Sequence, residues 1–555
     1  MLLLMTDLEK WSWHTQYHNH VYAPPNQHIP SSTVQAGQTD LLFLWQAMYS
    51  TEITPDRQTF HQLAKQGNVI PITREVLADM ETPVSVFRRF VDRPNAFLLE
   101  SVAGGERLAR YSFLGADPKC SFRARGNKIL FTENDAVIET ELQAGEEPMQ
   151  VIQKILGDVR FVDRPGLPRF VGGALGYIGW DWIKHLEPIP TTAADDTGVD
   201  DIHMFLVDTM VIFDHVKHRL IFLTNAHCPD GVDIDNVYDD ACAALRQVEA
   251  DALAPRPDGP TRHAQKAQCP PPDGHWDMNL TRDDYDRMIS TAKDYITAGD
   301  IIQVVLAQRF TRPLNADPFD IYRTLRAINP SPYMYYLQFD TGTTLVGASP
   351  EVLVTEDDGK VTIRPIAGTR PRGNSRGEDD QLAAELLADE KERAEHIMLV
   401  DLARNDIGRV CKYGSVIVDE LMVIERYSHV MHIVSNVVGE LAPDSNAFDL
   451  LRATFPAGTL SGAPKVRAMQ IIDELEPCRR GTYGGAIGYL SYKGSFDACI
   501  TLRTALIRDG LVHVQAGGGI VADSVAETEY IETVNKSGAI RRAVELAEKG
   551  LDQRK

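Results

Sequence analysis

Two sets of carboxylates, a histidine pair and an arginine-rich stretch are the residues in this sequence that could do chemistry. "LLADEKERAEHIMLVDLARND" has helical period through Leu387, Ala394, Met398 and Leu402, with Glu395 and His396 in its middle. Far downstream, "DSVAETEYIETVNKSGAIRRAVELAE" starts with Ser524 and Glu527 at the spacing of a capping box, and Glu529, Glu532 and Lys536 then fall at i, i+3 and i+7 on one face. Most charged helix faces are simply solvated. Two glutamates from separate helices with open positions would instead suit Mg2+, a hard cation that keeps waters and binds substrate oxygens. "ERYSHVMH" places His429 and His432 at i, i+3 in a strand or turn, and an imidazole titrating near neutrality is a natural acid or base. "RPIAGTRPRG", residues 364–373, reads as an anion cradle: the β-branched "VTIRPIA" ends in a turn crowded with Gly368, Thr369, Arg370 and Arg372.

Two glycine patterns carry less. "GTLSGAPK", residues 458–465, has neither the spacing of a phosphate loop nor a Ser or Thr after its Lys. "GGGIVA", residues 517–522, matches a dinucleotide pattern but has no βαβ sequence around it. Its glycines are better read as letting backbone N–H groups approach a small anion.

The elements that must position these residues follow from the rest of the chain. With 555 residues, more than one domain or a large intertwined unit is expected. Net charge is −22, which argues against a nucleic-acid binder working by phosphate neutralisation. Seven dispersed cysteines without a CxxC pair read as reduced thiols in a cytoplasmic protein. No apolar run is long enough for a membrane span. Residues 1–56 are polar, His- and Pro-containing and aperiodic, and are read as a poorly ordered extension, with Met48 an alternative start. Residues 57–253 form an N-terminal half whose "MVIFDHVKHRLIFLTNA" predicts a hairpin around His215–His218. A Pro/Gly-rich linker at 254–277 follows, then a C-terminal half at 278–555. That half opens with a helix capped by Thr281 and Asp284 and stopped by Gly299. "GGALGYIGWD" and "GGAIGYLSYKG" echo each other across the halves, either as related halves or as glycine strands in close approach.

The segments "GASPE", "PIAGTRPRG", "AEHIMLVDLARND", "RYSHVMH", "GTLSGAPKVRAM", "YGGAIGY", "VQAGGGIVADS" and "ETVNK" stand in the order found in chorismate-utilising enzymes. Over about residues 60–548 the chain resembles the anthranilate synthase component I family. The resemblance implies an α+β fold of antiparallel sheets packed as a sandwich with helices outside. It implies Mg2+ held by Glu395 and Glu532, and a chorismate shell of Gly368, Thr369, Tyr483, Arg503, Gly517, Gly518, Gly519 and Lys536. Glu351 resembles the acid that protonates the leaving hydroxyl; His432 and Thr459 resemble the residues of pyruvate elimination. Ser101, Pro332, Tyr333 and Met334 resemble a tryptophan feedback site. No cysteine lies in a nucleophile turn of the Gly-x-Cys-x-Gly type, so ammonia is expected from a glutamine amidotransferase subunit or from solution. The nearest rivals are aminodeoxychorismate synthase and an enzyme that stops at amino-deoxyisochorismate. The former typically has a nucleophilic Lys where this sequence has Ala367. A non-catalytic tryptophan sensor is the rival from another class, disfavoured by the full set Glu351, Glu395, His432 and Glu532.

Overall fold

The computed structural model describes residues 52–102, 110–133, 136–257, 259, 274–427 and 430–551. The described residues form one compact unit. Its described strands make two sheets of twelve strands each, with every named pairing antiparallel. The first sheet runs from Val69–Leu77 through Arg219–His227, Thr209–Asp214, Tyr111–Gly115 and Phe97–Glu100. It continues into Tyr333–Gln338, Thr344–Ser349, Thr504–Arg508, Leu511–Ile520 and Gln303–Pro313. The second runs from Ile366–Pro371 and Val430–Glu440 through Val352–Asp357, Phe496–Ile500 and Ala486–Ser491 to Gly173–Ile178 and Ile202–Val207. The halves on either side of the 254–277 linker therefore share both sheets. The span itself lies mostly outside the described residues, after the helix Ile234–Leu253 and before the strand Asp277–Met278.

A buried layer including Phe97, Phe205, Tyr335, Leu345 and Ile487 takes side chains from both sheets. The α+β sandwich expected from the resemblance is the fold observed. The two echoing glycine segments turn out to be neighbours: Gly173–Ile178 pairs with Ala486–Ser491, with Gly176 opposite Gly488. A Cβ on Gly173 would sit 2.1 Å from the Leu490 carbonyl oxygen and one on Gly485 2.1 Å from that of Ile178, so the glycines serve backbone approach.

Local signals succeeded where they were complete. The helix Arg282–Ala298 has the reciprocal Thr281–Asp284 capping box and ends at Gly299 in the left-handed region (φ 85°). Asp214 and Arg219 close the hairpin at 215–218. Four readings change. The helical stretch read through Leu387, Ala394, Met398 and Leu402 is two helices, Arg376–Ala388 and Glu390–Gly408, because Asp389 leaves the helix and caps the second by accepting from Lys391 N and Glu392 N. Ser524 caps nothing: Val525 is the N-cap of Ala526–Glu548, while Ser524 Oγ accepts from Val521 N at 3.0 Å. Residues 366–371 are a strand, not a turn, bulged between Ala367 and Thr369. Residues 52–56, assigned to the extension, are tied down: Thr54 bonds Thr73 and Asp56 caps Arg57–Leu63. Residues 1–51 lie outside the described residues.

Candidate active site

The bulge at Gly368 builds the first part of the site. Gly368 has φ +70°, a backbone that side chains resist, and a Cβ there would lie 3.1 Å from Leu386 Cδ1. Beyond the bulge, Thr369 sits opposite His432 on Val430–Glu440. His432 Nδ1 lies 2.9 Å from the Gly368 carbonyl oxygen and 3.1 Å from Thr369 Oγ1. A carbonyl only accepts, so Nδ1 carries the hydrogen and Nε2 keeps its lone pair. Burial lowers the imidazole pKa, with Arg503 adding to it and the Gly368 bond opposing. His432 is thus a neutral imidazole with a fixed tautomer. His429 lies outside the described residues.

Glu351 follows Thr344–Ser349 and is half-buried; its carbonyl accepts from Ile500 N at 3.0 Å. Burial pushes its carboxyl up to about 7, against the Thr459 hydroxyl, Lys536 and Arg503, which hold it down. Thr459 Oγ1 is buried without a bond of ordinary geometry. It lies close enough to the Glu351 carboxyl to act on it. Both residues line a cavity of about 40 Å³ with Leu402 and Asp406. Burial also depresses Arg503, opposed by Glu351, and no hydrogen bond or ion pair engages its guanidinium among the described residues. Its backbone is left-handed (φ 49°), which turns the chain after Phe496–Ile500.

The glycine run lies on Leu511–Ile520, with Gly517 opposite Ala307 and Gly519 opposite Val305. A Cβ on Gly517 would meet the Tyr483 hydroxyl at 3.1 Å and one on Gly518 the Glu529 carboxylate at 3.3 Å. Lys536 Nζ donates to the Gly517 carbonyl at 3.0 Å and pairs with Glu532 at 2.7 Å. Glu395, on Glu390–Gly408, is raised by burial, Glu392 and Glu532, with Lys536 opposing. The two helices therefore bring Glu395 and Glu532 within electrostatic reach. Among the described residues, no group of three or more His, Cys, Asp or Glu is arranged to hold a metal.

Arg370 and Arg372 face away from this chemistry. Arg370 pairs with Asp389 at 2.9 Å, and Arg372 with Asp379 and the Tyr427 carbonyl, so they tie the bulged strand to its neighbouring helices. These two arginines therefore hold the segment in place and do not cradle an anion.

A family model described as chorismate binding enzyme matches residues 94–542. Anthranilate synthase component 1 of Acetivibrio thermocellus is 48% identical over 485 residues, 87% of this chain and 97% of that protein. Its counterpart in Pseudomonas putida is 45% identical over 503 residues, 89% and 99%. The chain belongs to the chorismate-binding enzyme family, among its anthranilate synthase component 1 proteins. The crystal structure of anthranilate synthase component I from Streptococcus pneumoniae superposes with a TM-score of 0.68 at 38% identity, covering 78% of this chain and 92% of that one. The menaquinone-specific isochorismate synthase of Escherichia coli, 18% identical with a TM-score of 0.62 and covering 88% and 98%, shares the fold.

In this family member a second cavity, of about 110 Å³, lies between the sheets and brings Ser101, Pro332, Tyr333 and Met334 together as sequence reasoning grouped them. Tyr489, Asp497 and Cys499 complete it from the second sheet, with Tyr333 donating to Asp497 at 2.9 Å. Sequence reasoning missed Gln303, whose amide would crowd a Cβ on Gly519, and the buried pair Arg480–Glu476. Neither carries a spacing signal; both act through strand pairings remote in sequence. The six described cysteines are free thiols, and no described helix is long and apolar enough to cross a membrane.

Proposed function

We propose that the chain converts chorismate and ammonia to anthranilate and pyruvate through 2-amino-2-deoxyisochorismate. The observation that carries this is that a carboxyl poised near neutrality and a neutral imidazole whose Nδ1 is bound to the Gly368 carbonyl both lie within electrostatic reach of Arg503. In the first step ammonia bonds to ring carbon 2, the ring double bonds shift, and the carbon-4 hydroxyl leaves. Hydroxide is a poor leaving group, so Glu351 donates the proton that lets it depart as water. In the second step His432 Nε2 takes the carbon-2 proton. The electrons of that bond make the ring aromatic as the bond to the enolpyruvyl oxygen breaks and pyruvate departs. In this reading the Thr459 hydroxyl, which lies against the Glu351 carboxyl, donates to the group that leaves.

Arg503 binds the enolpyruvyl carboxylate, a task suited to its fork of donors. The Gly517–Gly519 backbone, Tyr483, Gly368 and Thr369 enclose the ring, and Lys536 adds positive charge. Glu395 and Glu532 would hold Mg2+: the donors are all oxygen, and a cation relieves the repulsion that raises Glu395. Only two protein carboxylates leave positions for water and substrate. The ion, when bound, supplies the charge that neutralises the ring carboxylate. Ala367 faces the same strand as His432 and has no amine to attack ring carbon 2, which separates this chain from the aminodeoxychorismate branch.

Ammonia comes from a glutamine amidotransferase subunit in a cytoplasmic hetero-oligomer. Tryptophan occupies the cavity at Ser101 and Met334 and inhibits. The strand Phe496–Ile500 links the two sites: Asp497 and Cys499 line the cavity, and Ile500 N holds the Glu351 carbonyl. Inhibition then requires that tryptophan bind one arrangement of this strand more tightly than the other. The test is incubation of the purified chain with chorismate, Mg2+ and ammonium salt. Anthranilate fluorescence with equimolar pyruvate supports the proposal; a stable amino-deoxyisochorismate or a para-amino product refutes it.

A further inference from the structure

We infer that Arg480, paired with Glu476, is a positioning residue that locks the Thr459 turn, the glycine strand and Tyr483 to one another; the inference rests on the function proposed above. Arg480 lies in "EPCRRGTYGG", after the helix Lys465–Leu475, and is 3% exposed. Its Nη1 donates to the Leu460 carbonyl at 2.7 Å, in the 3-10 turn Gly458–Leu460 that carries Thr459. Its Nη2 donates to the Val305 carbonyl at 2.7 Å, and Val305 is the register partner of Gly519. Nε and Nη2 also bind the two Glu476 oxygens at 2.9 and 2.6 Å. Glu476 Oε1 in turn accepts from Ala307 N at 2.9 Å, and Ala307 is opposite Gly517. The pair thus grips the backbone opposite both ends of the glycine run.

The guanidinium also lies 5.6 Å from the Tyr483 ring centroid and 4.2 Å from that of Trp180. Trp180 comes from the other side of the linker, and its backbone N–H donates to the Gly481 carbonyl at 2.7 Å. One planar fork therefore sets the spacing of four segments. The fork explains why arginine is used: lysine presents a point charge and cannot hold two carbonyls and a carboxylate at fixed angles. A stabilising role alone is a poor account of the pair, because the desolvation of two buried charges offsets most of their attraction. Placement is the better account, since sub-ångström errors at a reacting centre are costly. The charges that bind chorismate, Arg503 and Lys536, make no contact with the pair.

The test uses Arg480→Lys and the double variant Glu476→Leu/Arg480→Met, which leaves no unpaired buried charge, both in the full chain. Anthranilate formation from chorismate and ammonium gives kcat and KM, and thermal unfolding is followed alongside. Both variants are expected to unfold cooperatively, with kcat down about 100-fold and the KM for chorismate changed by less than about threefold. A folded double variant with kcat within about threefold of the unsubstituted chain overturns the inference, as does a rise in KM that accounts for the whole loss. Loss of cooperative unfolding in both variants overturns it too, by making the pair structural. An unsubstituted chain that forms no anthranilate refutes the proposed function instead.

Discussion

Glu351 sets a pH dependence that can be worked from its surroundings. Burial lifts the carboxyl from an ordinary 4.5 to about 7. That shift corresponds to about 3 kcal/mol favouring the protonated, proton-donating form. Arg503, Lys536 and the Thr459 hydroxyl oppose the rise, so it would be larger without them. In the proposed complex the chorismate carboxylates neutralise Arg503 and Lys536, which removes part of that opposition. At constant free ammonia, kcat/KM for chorismate therefore falls about tenfold per pH unit above about 7, and kcat falls only at higher pH. His432 creates no such limb, because its lowered pKa keeps it neutral there. Glu351→Gln should lower kcat by about 10²–10⁴-fold and lose the limb. Initial rates of anthranilate fluorescence from about pH 6 to 9 would read this. A flat kcat/KM profile, or a Gln variant that keeps the same limb, refutes the reasoning.

Arg503→Met removes charge-assisted bonds worth about 1.5–3 kcal/mol. It should raise the KM for chorismate about 10–100-fold with a smaller change in kcat; an unchanged KM contradicts the assignment. Gly368→Ala puts a Cβ 3.1 Å from Leu386 Cδ1 on a backbone at φ +70°, and should cost about 1–2 kcal/mol in denaturant unfolding and lower kcat by shifting the His432 acceptor. Wild-type stability and rate together would exclude that role. Ser101→Phe fills the cavity of about 110 Å³ and should abolish tryptophan inhibition while leaving the uninhibited rate intact; undiminished inhibition excludes the cavity. His513 is held down to about 4 by burial and Arg309, below its ordinary 6.5. The unfolded chain then binds the extra proton first, so up to about 3 kcal/mol of stability present above pH 6.5 is lost as pH falls through 4. Urea midpoints should fall across that window for the wild type and less steeply for His513→Gln.

What the sequence disclosed was local. Thr281, Asp284 and Gly299 announced a helix because cap, period and stop all lie within a few residues, and the bonds form as the spacing says. Ser524 shows the limit: the spacing was right, but its hydroxyl is taken by Val521 N and Glu529. Gly368 read as a turn because Gly, Arg and Pro cluster there. The partner that makes it a strand, Val430–Glu440, is about 60 residues away and leaves no mark on the local pattern. The site residues were legible only through the order of several long motifs. Nothing in their spacing says that Glu351, Thr459 and Arg503 meet. Arg480 belongs to no motif that suggested a role, since its bonds run to backbone carbonyls at Val305 and Leu460.

In the proposed reaction one pocket runs two separable steps, with His432 as the base of the second. The direct measurement is the progress of His432→Ala with chorismate, Mg2+ and ammonium, following chorismate loss and pyruvate release together. Chorismate should disappear while amino-deoxyisochorismate accumulates and pyruvate lags far behind. Equal loss of both signals, or pyruvate and anthranilate released at the wild-type ratio, would contradict the assignment.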